Sequence, residues 1–427
     1  MNILVKNATI ITMDDEKVIE NGYLITDGKK ISYVGDELLK DVSCDIVIDA
    51  KGKTLMPSFS NAHCHTAMSI LRSYSEGYKL QQWLNEKIFP IEDKFTENEI
   101  YYGTLLGTAE MISTGTTLVN DCYWFMERAA DAYIESGMNA NISRGLMCFS
   151  DDSDFKEDYR ILDSIKLHKE YNKKADDLIR VELFPHAVYT CTYNYLKYIG
   201  EISKEYNIPI TSHLCENEVE VSECIEKYGK TPVEIYKETG LFDNTSLMAH
   251  CVVLNDKDRE ILKGHYVAHN PRSNLKLGSG VADIYKMQNA GINVSIGTDG
   301  ASSNNRLDMI AELQTAALLM CMKSDPSRCN PYEILKMATV NGAKAMRRET
   351  KGILKAGYDA DFIIIDTDKP QYYPKHNVIN NIVYAASGED VVTTVSNGKI
   401  LYDKGEFKTI DIEKVKYEAL KIKEKIF

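Results

Sequence analysis

Apolar residues recur along this chain at two spacings, and each spacing predicts a different element. From about residue 56 to 345, short apolar runs of strand length alternate with longer stretches in which apolar residues return every three or four positions. The runs are Leu55–His63, Thr116–Asp121, Ala140–Leu146, Arg180–His186, Pro209–His213, Ser246–His250, Tyr266–His269 and Asn293–Asp299. Between them, Glu97–Thr114, Phe155–Tyr171, Tyr195–Tyr206 and Asn305–Met322 have helical period. Strands separated by helices pair in parallel.

The two ends of the chain read differently. Ile3–Val5, Ala8–Met13, Gly22–Thr26 and Lys30–Gly35 alternate like antiparallel strands, with a hairpin turn at Asp27-Gly28. The pattern returns in Ala360–Asp366 and in Val391–Tyr402, around an Asn397-Gly398 turn. One small β-sandwich domain formed from both termini, residues 1–55 and 346–427, is the simplest account. The middle, residues 56–345, is then inserted as an α/β unit. Eight strand–helix units predict a (β/α)8 TIM barrel there, with a doubly wound open sheet as the runner-up. The last segment, Ile410–Phe427, is expected to be a helix packed on the β domain.

Composition removes several classes of function. Of 427 residues, 44% are hydrophobic and 26% charged, as in ordinary globular enzymes. No stretch approaches the roughly 18 consecutive apolar residues of a membrane span, and the amino terminus lacks the pattern of a signal peptide, so the expected location is cytoplasmic. A net charge of −13, spread along the chain, would repel a phosphate backbone and argues against nucleic acid. Ten cysteines occur without a CxxC pair and mostly in apolar surroundings, which predicts free, buried thiols.

Polar residues gather at the carboxyl ends of the predicted strands. His63 and His65, His186, His213, His250, His269 and Asp299 all fall there, on the face where barrel enzymes build their sites. Residues i and i+2 of a strand share a face, so His63 and His65 can approach one ion together. Three imidazoles and a carboxylate are the usual donors of a catalytic zinc. His63, His65, His213 and Asp299 make such a set for one divalent metal ion, Zn2+ by preference, with Fe2+ or another ion as substitutes. The chemistry of such a site is activation of water at neutral pH, and Asp299 can accept its proton. Glu216, three residues beyond His213, is a candidate proton shuttle to a ring nitrogen and leaving group. His250 is a candidate partner for the attacking oxygen. Each has a plainer reading: Asp299 as a turn residue, Glu216 as an acid at a helix start, and His250 as a core histidine.

The motifs Asn61-Ala-His-Cys-His, Ser212-His-Leu-Cys-Glu, Ala249-His-Cys, His269-Asn-Pro-Arg-Ser-Asn and Ile296-Gly-Thr-Asp-Gly-Ala-Ser-Ser-Asn occur in that order. Together they resemble the amidohydrolase superfamily, over nearly the whole chain. The likeness is greatest to its branch of deaminases and chlorohydrolases, and within that to 5′-methylthioadenosine/S-adenosylhomocysteine deaminases. The resemblance implies hydrolytic removal of ammonia from a small-molecule aminated purine nucleoside. It implies one metal, because the fourth run, Val181-Glu-Leu-Phe-Pro-His, lacks the lysine that bridges two. It also implies substrate contacts. Trp83 would line the pocket, Glu92 would accept hydrogen bonds from the ribose hydroxyls, and Arg144, His186, Glu216 and Ser303 would complete the set. An arginine suits a carboxylate such as that of homocysteine.

Some positions depart from the pattern. Pro57-Ser-Phe-Ser precedes the first histidine where Pro-Gly-Leu-Ile is more common, and Cys64 stands where a threonine is frequent. After Arg144, the acidic Phe149-Ser-Asp-Asp-Ser-Asp stretch replaces a second arginine, which weighs towards methylthioadenosine or adenosine. A deaminase or chlorohydrolase of a free base (guanine, cytosine, a pterin or an s-triazine) is the main alternative. Glu92 argues against it, since a free base has no diol to hold. A binding protein that has lost catalysis would have no reason to keep all these residues. A homo-oligomer fits such barrels, and nothing in the residues decides it.

Overall fold

The structure is a computed structural model that describes residues 2–39, 43–151 and 154–427. Eight short strands form two parallel four-stranded sheets. The first sheet runs in order through Phe59–Cys64, Thr116–Tyr123, Asn139–Leu146 and Ile179–Pro185, and the second through Thr211–Leu214, Leu247–His250, Tyr266–His269 and Asn293–Ile296. Nearly every residue of these strands is buried, as expected of parallel strands covered by helices. Each predicted run thus contains one of these parallel strands, shifted by at most a few residues at either end except in the first run.

The sheets also touch each other along both edges. Between the fourth and fifth strands, the Leu183 amide donates to Pro209 O (2.8 Å) and that of His213 to His186 O (3.2 Å). Between the eighth and first, the Asp299 amide donates to His63 O (3.0 Å) and Thr298 N to Asn61 Oδ1 (3.0 Å). Gly297 makes that second approach close enough: a Cβ there would lie 2.4 Å from Asn270 Oδ1 and 2.8 Å from the His63 backbone.

Both termini build one continuous nine-stranded sheet rather than two separately bonded ones. Thr54–Pro57 joins the halves, pairing with Ile3–Ile11 in parallel and with Phe362–Ile365 antiparallel. The sheet curls, so that the hairpin of Val18–Asp27 and Lys30–Gly35 returns to bond residues 357–360, Ile31 N to Tyr358 O (2.9 Å) and Ala360 N to Lys29 O (2.8 Å). The Asn397-Gly398 turn has φ of 48° and 71°, the left-handed pair that a tight hairpin needs. The run Leu55–His63 is therefore divided. Residues to Pro57 belong to the terminal sheet, and the parallel strand begins at Phe59, bonded through its amide to Gly115 O.

The carboxyl-terminal helix, Ile412–Ile426, corrects one expectation. It packs on the helix Glu97–Ser113 of the α/β unit, not on the terminal sheet. Val415, Ile422 and Ile426 share a core with Ile100 and Ile112, Lys425 pairs with the fully buried Glu99 at 3.0 Å, and Phe427 stacks near Tyr74. All ten cysteines are free.

Candidate active site

At the carboxyl ends of the parallel strands, His63, His65, His213 and Asp299 converge. His65 Nε2 lies 3.2 Å from His213 Nε2 and 3.3 Å from Asp299 Oδ1, and His63 Nε2 lies 3.6 Å from the same oxygen. His65 Nδ1 is 2.7 Å from the Cys122 carbonyl, so Nδ1 carries the proton and Nε2 presents a lone pair. Both ring nitrogens of His63 and Nδ1 of His213 are buried without a hydrogen-bond partner. Burial lowers His63 to about 4 and pushes His213 well below its ordinary value, so both imidazoles are neutral with lone pairs to offer. Burial would raise the Asp299 carboxyl, but the neighbouring imidazoles of His63, His65 and His250 hold it well below the usual range. Lone pairs of like character facing one another in a dry site repel unless a cation lies between them. The donors fit a divalent metal ion.

Asp299 is fixed from behind. Its Oδ2 accepts from Ser273 Oγ (2.5 Å) and Ser303 Oγ (3.1 Å), and its Oδ1 from the Gly300 amide (2.8 Å). Ser303 therefore supports the carboxylate, and it is absent from the cavity lining where a substrate contact was expected. Asp299, His250 and Cys215 all have left-handed φ (61°, 73° and 49°). Such conformations are costly in non-glycine residues and collect at functional sites.

His250 and Glu216 lie beside the cluster, His250 Nε2 3.8 Å from Glu216 Oε2. His250 Nδ1 donates to Asn274 Oδ1 (2.7 Å), leaving Nε2 as acceptor. His63, His213 and His250 also come close enough to share one ion. Burial, and then the negative charge of Asp299, push the Glu216 carboxyl well above its ordinary value. The loop bearing Glu216 is held by Glu220, whose carboxylate accepts from the amides of Cys215 (3.1 Å) and Glu216 (2.7 Å).

A cavity opens from this cluster. Trp83, Glu92 and His186 line it, together with Phe89, Tyr123, Phe184 and Leu277. Glu92, Phe89 and Trp83 come from a helical segment, residues 80–92, laid over the strand ends and interrupted by a π-turn at Leu84–Ile88. Insertions of this kind are frequent at functional sites. Arg144 lies outside the cavity, in an adjoining hollow with Arg160, Met147 and Tyr159 that shares Phe89, Glu92 and Trp124 with it. There it pairs with Asp163 (3.5 Å). Sequence reasoning assigned no role to Cys122, Ser273, Asn274 or Tyr123. Cys122 and Tyr123 lie just past the end of the predicted run Thr116–Asp121, and Ser273 and Asn274 lie inside the motif that opens on His269.

A parallel α/β scaffold that gathers imidazoles and an aspartate at its strand ends defines a metal-dependent hydrolase. The chain belongs to the amidohydrolase family, whose model matches residues 54–401. It is 42% identical over 426 residues to a 5-methylthioadenosine/S-adenosylhomocysteine deaminase of Caldanaerobacter subterraneus subsp. tengcongensis, covering 99% of this chain and 98% of that one. A deaminase of the same name from Thermococcus sibiricus is 43% identical over 404 residues, 94% of each chain. Among solved structures, an adenosine deaminase from Xanthomonas campestris with bound zinc superimposes with a TM-score of 0.93 at 27% identity, over 99% of this chain and 98% of that one.

Proposed function

We propose that this protein is a zinc-dependent hydrolytic deaminase of adenine nucleosides. It would convert 5′-methylthioadenosine, S-adenosylhomocysteine or adenosine to the inosine form and ammonia. One observation carries the reading: a single cavity is lined both by His65, His213 and Asp299 of the metal cluster and by the buried carboxylate of Glu92. The names of the relatives that match nearly end to end agree with it.

The two parallel sheets are read as one closed (β/α)8 barrel, on the strength of the hydrogen bonds along both seams. His63, His65, His213 and Asp299 would hold the ion, and the nitrogen-rich set favours zinc. Water activated at neutral pH is the chemistry that ion supplies when bound. Asp299 is the anionic proton acceptor at the cluster, aimed by Ser273 and Ser303. Glu216, held protonated by burial, would give its proton to the purine ring nitrogen, and the departing amine would take a proton released by the water. His250, with Nδ1 held by Asn274, would orient the water through Nε2. Glu92 would receive the ribose diol, and the aromatic walls exclude bulk water from the purine. The hollow around Arg144 would take the 5′ substituent. The free thiols suit a reducing cytoplasm.

The test is ammonia release, with zinc present, from methylthioadenosine, S-adenosylhomocysteine, adenosine, adenine, guanine and cytosine. Turnover confined to adenine nucleosides, with a raised KM in Glu92→Ala, is the expected result. Turnover of free bases alone, indifferent to that substitution, would overturn the nucleoside reading.

A further inference from the structure

Tyr123 ends the second parallel strand, beside His65 and Trp124. It is 5% exposed and lines the same cavity as the metal cluster. Its hydroxyl donates to Glu92 Oε1 at 2.5 Å. The two residues come from elements of different kinds: Tyr123 from a buried strand, and Glu92 from the helical segment that covers the strand ends. Glu92 is itself buried, and Asp93, which follows it, makes no tie to the strands among the described contacts. A carboxylate at the end of a flexible side chain on such a cover is aimed only if something holds it.

We propose that Tyr123 is a positioning residue for recognition of the ribose diol, acting through Glu92. The inference rests on the nucleoside reading above. The bond occupies one lone pair of Oε1 and fixes the plane of the carboxylate. Glu92 lines the cavity, so the remaining acceptor sites of its carboxylate are available to two neighbouring hydroxyls. The phenol acts as donor only, because burial and the neighbouring Glu92 hold its proton on throughout the working range. Tyr123 thus offers the diol no competing charge, and it couples strand, cover and sugar through one carboxylate. A phenylalanine would keep the ring that packs between His65 and Trp124 and delete only the hydrogen bond.

The experiment compares native protein, Tyr123→Phe, Glu92→Ala and the double variant, all zinc-loaded. Substrates are adenosine and 2′,3′-dideoxyadenosine, which share the base and differ in the diol. With adenosine, Tyr123→Phe should raise KM about tenfold, the weight of one hydrogen bond to a charged group, and leave kcat within about twofold. With the dideoxy compound, its KM should match that of the native protein. In the Glu92→Ala background the second substitution should add nothing further. An equal rise in KM for both compounds, a fall in kcat alone, or additive effects in the double variant would each overturn the proposal. So would an unchanged KM for adenosine. Failure of the underlying reading looks different: the native protein itself would then release no ammonia from adenosine.

Discussion

At the scale of single residues, the site depends on which atom of each side chain is free. His65 gives Nδ1 to a backbone carbonyl and keeps Nε2, whereas His63 gives neither nitrogen to the protein. His63→Ala or His213→Ala should therefore abolish stoichiometric zinc, read by metal analysis of the dialysed protein, while leaving the secondary structure intact. Glu216→Gln separates roles. It should retain zinc and nucleoside affinity and lose about 10²- to 10⁴-fold in kcat, as expected for a group that moves a proton. Retained kcat in that variant would remove Glu216 from the chemistry. The histidines were legible because strand spacing and placement at run ends both point at one face. Ser303 was legible as important but not in kind, because sequence order cannot tell a residue behind a carboxylate from one in front of it. Arg144 shows the same limit, lining the adjoining hollow instead of the cavity it was expected to enter.

Elements are set by caps and turns as much as by period. The expected helix Phe155–Tyr171 is a short turn followed by Tyr159–Tyr171, because Asp158 caps a new start by accepting from the amides of Arg160 and Ile161. Asp308 likewise delays the helix expected at Asn305 until Met309. Both caps were present in the sequence, yet apolar period runs straight through them. The closing helix was recognised, but its partner was not, since an amphipathic face names no surface to bury against. Ile422, 2% exposed against the 97–113 helix, tests that partner. Ile422→Ala should cost about 2–4 kcal/mol in unfolding free energy, and a loss under 1 kcal/mol would show the helix is not docked there. Gly398→Ala should destabilise too, because φ is 71° and its Cβ would lie 1.9 Å from the Gly28 carbonyl.

For the whole molecule, buried carboxyls tie stability to pH. Glu312 is fully buried beside Asn304 and Arg272. Burial raises its carboxyl from 4.5 to about 8 in the folded chain, against the hydrogen bond from Asn304. A raised acid binds its proton more tightly when folded, so its contribution is full below pH 4.5 and is lost as pH climbs to about 8. Glu312→Gln keeps the neutral form at every pH. Urea unfolding from pH 5 to 9 should therefore show the variant gaining on the native protein as pH rises, and parallel curves would refute the assignment. The α/β class and the pairing of the two ends were legible at this scale from the change in spacing of apolar residues. The single curled sheet was not, since period alone does not say whether two sets of strands bond to each other or merely face.

That sheet has a consequence for how the protein is made. Thr54–Pro57 leaves the ribosome about 300 residues before its partner Phe362–Ile365. At about 5–20 residues per second, this edge waits on the order of 15 to 60 seconds unpaired. During that interval, the whole inserted unit must be synthesised while an apolar strand remains open to other chains. Nascent chains stalled before residue 362 should accordingly be cut by protease within the first 57 residues, and chains released at full length should be protected there.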